Sequence, residues 1–121
     1  MTEQSIIPGD PFVNKVHIIR NQRVMLDFDI AELYEVSQNT FQKAVGKNIQ
    51  RFPADFRFQL TKDEWEFLKR KIDPSVWDAQ KSLPYACTEA GLLMCSGILK
   101  TNRAVQISIY IIDAIFNFKN L

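Results

Sequence analysis

The spacing of polar and apolar positions along this chain changes several times, and each change marks an element. Val16-His-Ile-Ile-Arg20 and Arg23-Val-Met-Leu26 are short β-type runs. Asn21-Gln22 between them predicts a hairpin turn, with a weaker signal than Asn-Gly. Asp27 or Asp29 then caps a helix through Glu35, with Ile30, Ala31, Leu33 and Tyr34 as its apolar residues. Val36-Ser37 is a break. From 38 to about 50 the chain is helical again, with Phe41, Ala44, Val45 and Ile49 on one buried stripe, and Pro53 forbids continuation. Residues 55–60 alternate as a half-buried strand, with Phe56, Phe58 and Leu60 on one face. Thr61 opens a helix to about 72, and Glu64 stands at the N3 position of a capping box. Residues 73–82 read as loop, 83–87 as a short strand, 88–99 as a helix opened by Thr88, and 102–118 as a last helix capped by Asn102. The order ββαα-β-α-β-αα predicts an α+β fold: a small helical domain with short β-strands or a hairpin, of which a winged-helix-like variant is one admissible form.

Residues 29–45 carry the spacing of a helix-turn-helix. Ala31 is small where two helices must cross. Val36 is the apolar turn residue, Ser37 caps the second helix, and Phe41 and Val45 pack it back on the first. Glu35 stands where such turns often carry glycine, so the turn either avoids the left-handed backbone region or bears strain. The outward face of the second helix is Gln38, Asn39, Gln42, Lys43, Lys47 and Gln50, followed by Arg51. It carries three positive charges and no acid. Gln and Asn amides match adenine edges, while Lys and Arg reach guanine or phosphate. Ser37 and Thr40, with the first backbone amides, offer a phosphate seat. The pattern points to duplex DNA as the partner. A merely solvated amphipathic helix has the same period, and that alternative stands beside it.

Composition narrows the field. A length of 121 residues suits one domain that builds its core without metal or disulfide staples, and 46% apolar with 24% charged residues is ordinary for a globular chain. The net charge of +1 excludes nucleic-acid binding by the whole surface and restricts a DNA site to a local basic face. Cys87 and Cys95 lack a Cys-x-x-Cys spacing, and the single histidine, His17, does not complete a zinc set with them. Both thiols read as core residues in a reducing cytosol. Asp27, Asp29, Glu32 and Glu35 read as helix-dipole and solvation chemistry rather than metal ligands. With no Gly-rich phosphate loop, H-E-x-x-H or G-x-S-x-G, no cofactor, metal or catalytic set is expected. Residues 1–11 show no signal pattern, and Gln106, Ser108 and Asp113 break the longest apolar stretch, so the expectation is a cytoplasmic protein without a membrane span. Residues 1–14 read as a flexible arm and 15–121 as one domain. Trp77 serves packing or a contact with DNA or a partner. The last helix is apolar nearly all round; core burial, a homodimer through residues 102–118, and a contact with a region outside this sequence all satisfy it.

Four blocks, in order, carry a family resemblance. They are Arg23-Val-Met-Leu-Asp-x-Asp-Ile-Ala-Glu-Leu-Tyr34, Asn48-Ile-Gln-Arg-Phe-Pro-Ala-Asp-Phe-Arg-Phe-Gln-Leu-Thr61, Leu83-Pro-Tyr-Ala-Cys-Thr-Glu-Ala-Gly91 and Arg103-Ala-Val-Gln106. Together they resemble the ORF-six N-terminal domain family, in the KilA-N and Bro-N group of phage, bacterial and large-DNA-virus domains, over residues 15–118. The resemblance implies a DNA-binding domain, often the N-terminal part of a phage antirepressor or regulator with a variable C-terminal domain. It therefore implies double-stranded DNA as partner. The alternative is a protein-interaction module, an antirepressor that binds a repressor protein, with the last helix and Trp77 as its working surface. The chain ends soon after the resemblance, as an isolated domain or a short family member would. It departs from the family pattern at Cys87, where Phe is usual, and at Ala90, where Gln is common. At residues 78–82 a Gly- and Arg-rich approach is reduced to Asp-Ala-Gln-Lys-Ser, which weighs against a basic wing there.

Overall fold

The computed structural model describes residues 15–99 and 102–119, without the side chains of Ile111 and of residues 114–119; the arm expected at 1–14 lies outside the described residues. β1 (His17–Ile19) and β2 (Gln22–Leu26) pair antiparallel, with Ile19 opposite Gln22. The turn is therefore Arg20-Asn21, one residue earlier than Asn21-Gln22. Both residues have left-handed backbone, at φ 55° and 63°, as the favoured two-residue hairpin loop requires. Asn tolerates that region, and Arg20 is anchored by two hydrogen bonds to Glu64 at 2.8 and 3.1 Å. β3 (Arg57–Gln59) and β4 (Tyr85–Thr88) complete an antiparallel sheet of order β1-β2-β4-β3.

Helices cover both faces of this sheet. They are α1 (Asp27–Tyr34), α2 (Gln38–Lys47), α3 (Lys62–Lys69), α4 (Pro74–Asp78), α5 (Glu89–Cys95) and α6 (Asn102–Lys119). Strand alternation sorts the side chains between two cores. Val24, Leu26, Phe58 and Ala86 join Trp65 and Leu68 of α3. Met25 and Cys87 join Ile30 and Tyr34 of α1, Phe41 and Val45 of α2, Leu92 and Cys95 of α5, and Ile107 of α6. The consecutive burial of Val24, Met25 and Leu26 follows, because both faces of β2 are covered over these three residues, while Gln22 and Arg23 stay exposed. The fold is thus α+β as expected, and both cysteines are buried free thiols.

The boundaries differ from the sequence pattern where backbone hydrogen bonds decide them. β2 runs directly into α1, whose N-cap position is Leu26 with no side-chain cap, so neither Asp27 nor Asp29 caps it. β3 is shorter than 55–60 because the Phe56 and Arg57 amides both donate to the Pro53 carbonyl, at 2.8 and 3.1 Å, making a turn. The expected loop at 73–82 contains α4, with Asp73 accepting from the Ser75 amide and Pro74 in the first turn. Helix 61–72 stops at Lys69 and helix 88–99 at Cys95, while the Thr61–Glu64 capping box forms as read. β3 and β4, which follow α2, are joined through α3 and α4 rather than by a tight wing-like turn. On α6, Ala104, Ile107 and Ser108 are buried, whereas Val105, Ile109 and Ile112 are exposed.

The strand–helix joint at Thr88 holds β4 to the 53–56 turn. The Thr88 amide donates to the Phe56 carbonyl at 3.0 Å, and its hydroxyl donates to the Asp55 carbonyl at 2.9 Å. Gly91 of α5 sits so close that a Cβ there would clash with the Phe56 carbonyl oxygen. That oxygen belongs to fixed backbone, so the clash must be relieved by moving the helix. Gly91→Ala is therefore expected to destabilise the fold by about 3 kcal/mol, read as a lower urea midpoint. A parental midpoint would show that α5 does not pack on this turn.

Candidate nucleic-acid interface

A three-residue turn, 35–37, joins α1 to α2. The Val36 amide donates to the Ala31 carbonyl at 3.1 Å and the Glu35 amide to the Glu32 carbonyl at 3.0 Å. This paired pattern is a Schellman ending, which needs a left-handed residue at its centre. Glu35 supplies it, at φ 60° and ψ 39°. The strain is borne, not avoided, at a cost of roughly 1–2 kcal/mol. What holds it is apolar: Val36 packs on a core containing the buried Ala31, Phe41 and Val45, each in the role its spacing suggested. Arg103 of α6 adds an ion pair to Glu35 at 3.1 Å. Both partners are well exposed, so that pair contributes under about 1 kcal/mol.

The turn presents α2 with one face out. Ser37 caps it: its hydroxyl accepts from the Thr40 amide at 3.0 Å and donates to the Thr40 hydroxyl at 2.9 Å. That amide is therefore already engaged in the expected phosphate seat. Asn39, Thr40, Lys43 and Lys47 are exposed. One of the expected contact residues is tied inward instead. Gln38 is half-buried and exchanges amide hydrogen bonds with Gln80 at 2.9 and 3.2 Å. Gln42 is exposed.

The helix also ends earlier than residue 50. Asn48 leaves the helical region at φ −125°, and its side-chain amide donates to the Ala44 carbonyl at 2.8 Å. A single 3₁₀ turn, Ile49–Arg51, follows. Gln50 and Arg51 are exposed on that turn, out of phase with the α2 face. Ile49, expected in the buried stripe, is 56% exposed for the same reason. The Arg51 guanidinium lies near Gly97, just after α5: a Cβ there would be 3.8 Å from Nη1.

Beneath this surface lies a charge pair that the sequence pattern does not announce. The Asp27 carboxylate is fully buried and meets Arg57 of β3, with Nη2 at 2.6 Å and Nε at 3.4 Å. The same guanidinium lies over the Tyr85 ring, 4.0 Å from its centroid. Burial pushes the Asp27 carboxyl up; the Arg57 hydrogen bonds favour its charged form. Burial likewise raises Asp29 to about 6 despite Lys15 at 3.5 Å. Arg57 sits on the polar side of an alternating strand, which ordinarily means solvent. The available clue was Asp27 between the apolar Leu26 and Phe28, an acid with no water to face. Trp77 is half-buried: its indole donates to the Ile72 carbonyl at 2.8 Å, and the ring packs under the α3 layer. Among the described residues no three His, Cys, Asp or Glu side chains gather as a metal-binding group, and no helix is long and apolar enough to cross a membrane.

Residues 14–98 match the family model of the ORF6N domain. No curated protein and no solved structure matches the chain.

The turn generates a direct test. Glu35→Gly removes the left-handed penalty and gives up one exposed ion pair. It is expected to stabilise the protein by about 1 kcal/mol, a rise of roughly 4 °C or more in Tm by circular dichroism. A lower Tm would mean that the Glu35 side chain, rather than the backbone, fixes the corner.

Proposed function

The chain belongs to the ORF6N domain family, and we propose that it is a non-catalytic domain that binds double-stranded DNA in a phage- or prophage-type regulatory protein, in the cytoplasm of a bacterial host. In this reading α1 and α2 act as a helix-turn-helix, and α2 enters the major groove. One observation carries it: the exposed side of α2 and the turn after it displays Asn39, Lys43, Lys47, Gln50 and Arg51 without a single acid. A net charge of +1 makes such a concentration of cations on one short segment notable. Asn39 and Gln50 are the base-reading candidates and Lys43, Lys47 and Arg51 the phosphate or guanine contacts, while Ile49 offers methyls to a thymine. Ser37 and Thr40 shape the helix start, Gln38 positions the helix through Gln80, and the exposed Gln42 is a further base-reading candidate.

A second surface favours a second partner. Val105, Ile109 and Ile112 are exposed and share one side of α6 by their i, i+4, i+7 spacing. The stripe suits pairing of two copies, which would set two recognition helices on a two-fold site. It equally suits docking of a repressor protein in an antirepressor. The side chains of Ile111 and Ile115 lie outside the described residues. An apolar contact of this kind is insensitive to salt, whereas phosphate contacts are not.

Salt therefore separates the two readings. Binding to labelled, sheared genomic DNA is expected to weaken steeply as salt rises. The Lys43→Ala, Lys47→Ala double variant should flatten that dependence by about 0.9 for each phosphate left without its cation. Asn39→Ala should keep the slope and relax preference at one base pair, at roughly 1–3 kcal/mol. Parental slope and preference in folded variants would end the DNA reading. Ile109→Asp, in turn, should convert a dimer to a folded monomer in sedimentation; a parent that is monomeric at high concentration removes the self-association reading.

A further inference from the structure

We propose that Lys81, the one cation of a segment too poor in basic residues to form a basic wing, is a second, single-point contact of the DNA interface, meeting the phosphates beside the N-terminal end of α2. The inference rests on the reading of α2 as the groove-entering helix and adds a contact that α2 lacks.

The cations of α2 lie toward its C-terminal end: Lys43, Lys47 and then Arg51. Its first turn offers Ser37, Gln38, Asn39 and Thr40, with no positive charge. Ten residues of helix span about 15 Å, close to the roughly 12 Å width of a major groove. Phosphates line both edges of that groove. A helix anchored by charge at one end alone leaves the other edge without a partner.

The fold brings a cation to the uncharged end from forty residues away in sequence. Gln80 exchanges two amide hydrogen bonds with Gln38, the first residue of α2. The segment that carries Gln80 is itself braced. Asp73 caps α4, Trp77 donates to the Ile72 carbonyl at 2.8 Å, and Lys69 lies 5.4 Å from the Trp77 ring centroid. The chain is thus tethered to the first residue of α2 one position before Lys81 rather than left as a free loop. Lys81 is exposed there, and among the described residues no ion pair engages it. The reciprocal Gln38–Gln80 pair is the registration device: each amide satisfies the other, so neither is spare for a base edge.

The test is binding of a labelled mixed-sequence duplex, about three helical turns long, by the full chain across a salt series. Lys81→Ala should lower the log–log salt slope by about 0.9, equivalent to roughly eightfold weaker binding one decade below molar salt. Lys81→Arg should restore the parental slope. Gln80→Ala, which leaves Lys81 in place but cuts its tether, should weaken binding in the parent and have little effect in the Lys81→Ala background. If Lys81→Ala binds as the parent does while Lys43→Ala flattens the slope, the second contact is wrong and the α2 reading stands. If Lys81→Ala and Lys43→Ala both keep the parental slope, the α2 reading fails and this proposal fails with it.

Discussion

The Asp27–Arg57 ion pair is the interaction on which the arrangement of the corner depends. Asp27 begins α1, Arg57 lies on β3, and the guanidinium meets the carboxylate through Nη2 and Nε. A carboxylate with no exposure is stable only if its charge is met, and removing one partner of such a pair costs about 3–5 kcal/mol. The pair therefore has few ways to be satisfied. Those ways fix the start of α1 against the sheet. The roll of α2 is set by its apolar side, since rolling it away would expose Phe41 and Val45.

Above that junction the corner combines a strained backbone with a well-filled core. Glu35 occupies a conformation that a side chain disfavours, and the burial of Ala31, Phe41 and Val45 compensates. Burying one large apolar side chain contributes about 1.5–3 kcal/mol, more than the strain of one left-handed residue. α6 takes part on two sides. Ala104, Ile107 and Ser108 meet α1 and α5, with Ser108 hydrogen-bonded to Tyr34 at 3.1 Å, while Val105, Ile109 and Ile112 stay outside. One helix thus braces the corner and leaves an apolar stripe free.

What the sequence disclosed was set by local rules. Ala31, Val36, Phe41 and Val45 obeyed helical spacing and landed in the core as read. Thr61 and Glu64 formed their capping box because both partners lie within one turn. The misread positions are those whose fate is settled by distant chain. Gln38 looks like a free amide until Gln80 arrives beside it. Ile49 matches the buried stripe until Asn48 ends the helix and changes its phase. Arg57 looks solvent-facing until α1 covers that side of the sheet. Asp73-Pro74 carried a helix start signal that a short, Trp-bearing stretch concealed. The fold class and the corner were legible; the wiring beneath the candidate surface was not.

The proposed role of the exposed side of α2 as a surface for duplex DNA is tested most directly by amide chemical-shift mapping of isotope-labelled protein on addition of a short mixed-sequence duplex. The largest changes are expected at Asn39, Lys43, Lys47, Gln50 and Arg51, vanishing as salt is raised, with Val105 and Ile109 of α6 unmoved. Changes confined to α6, or none at a concentration where the duplex is in excess, would contradict it.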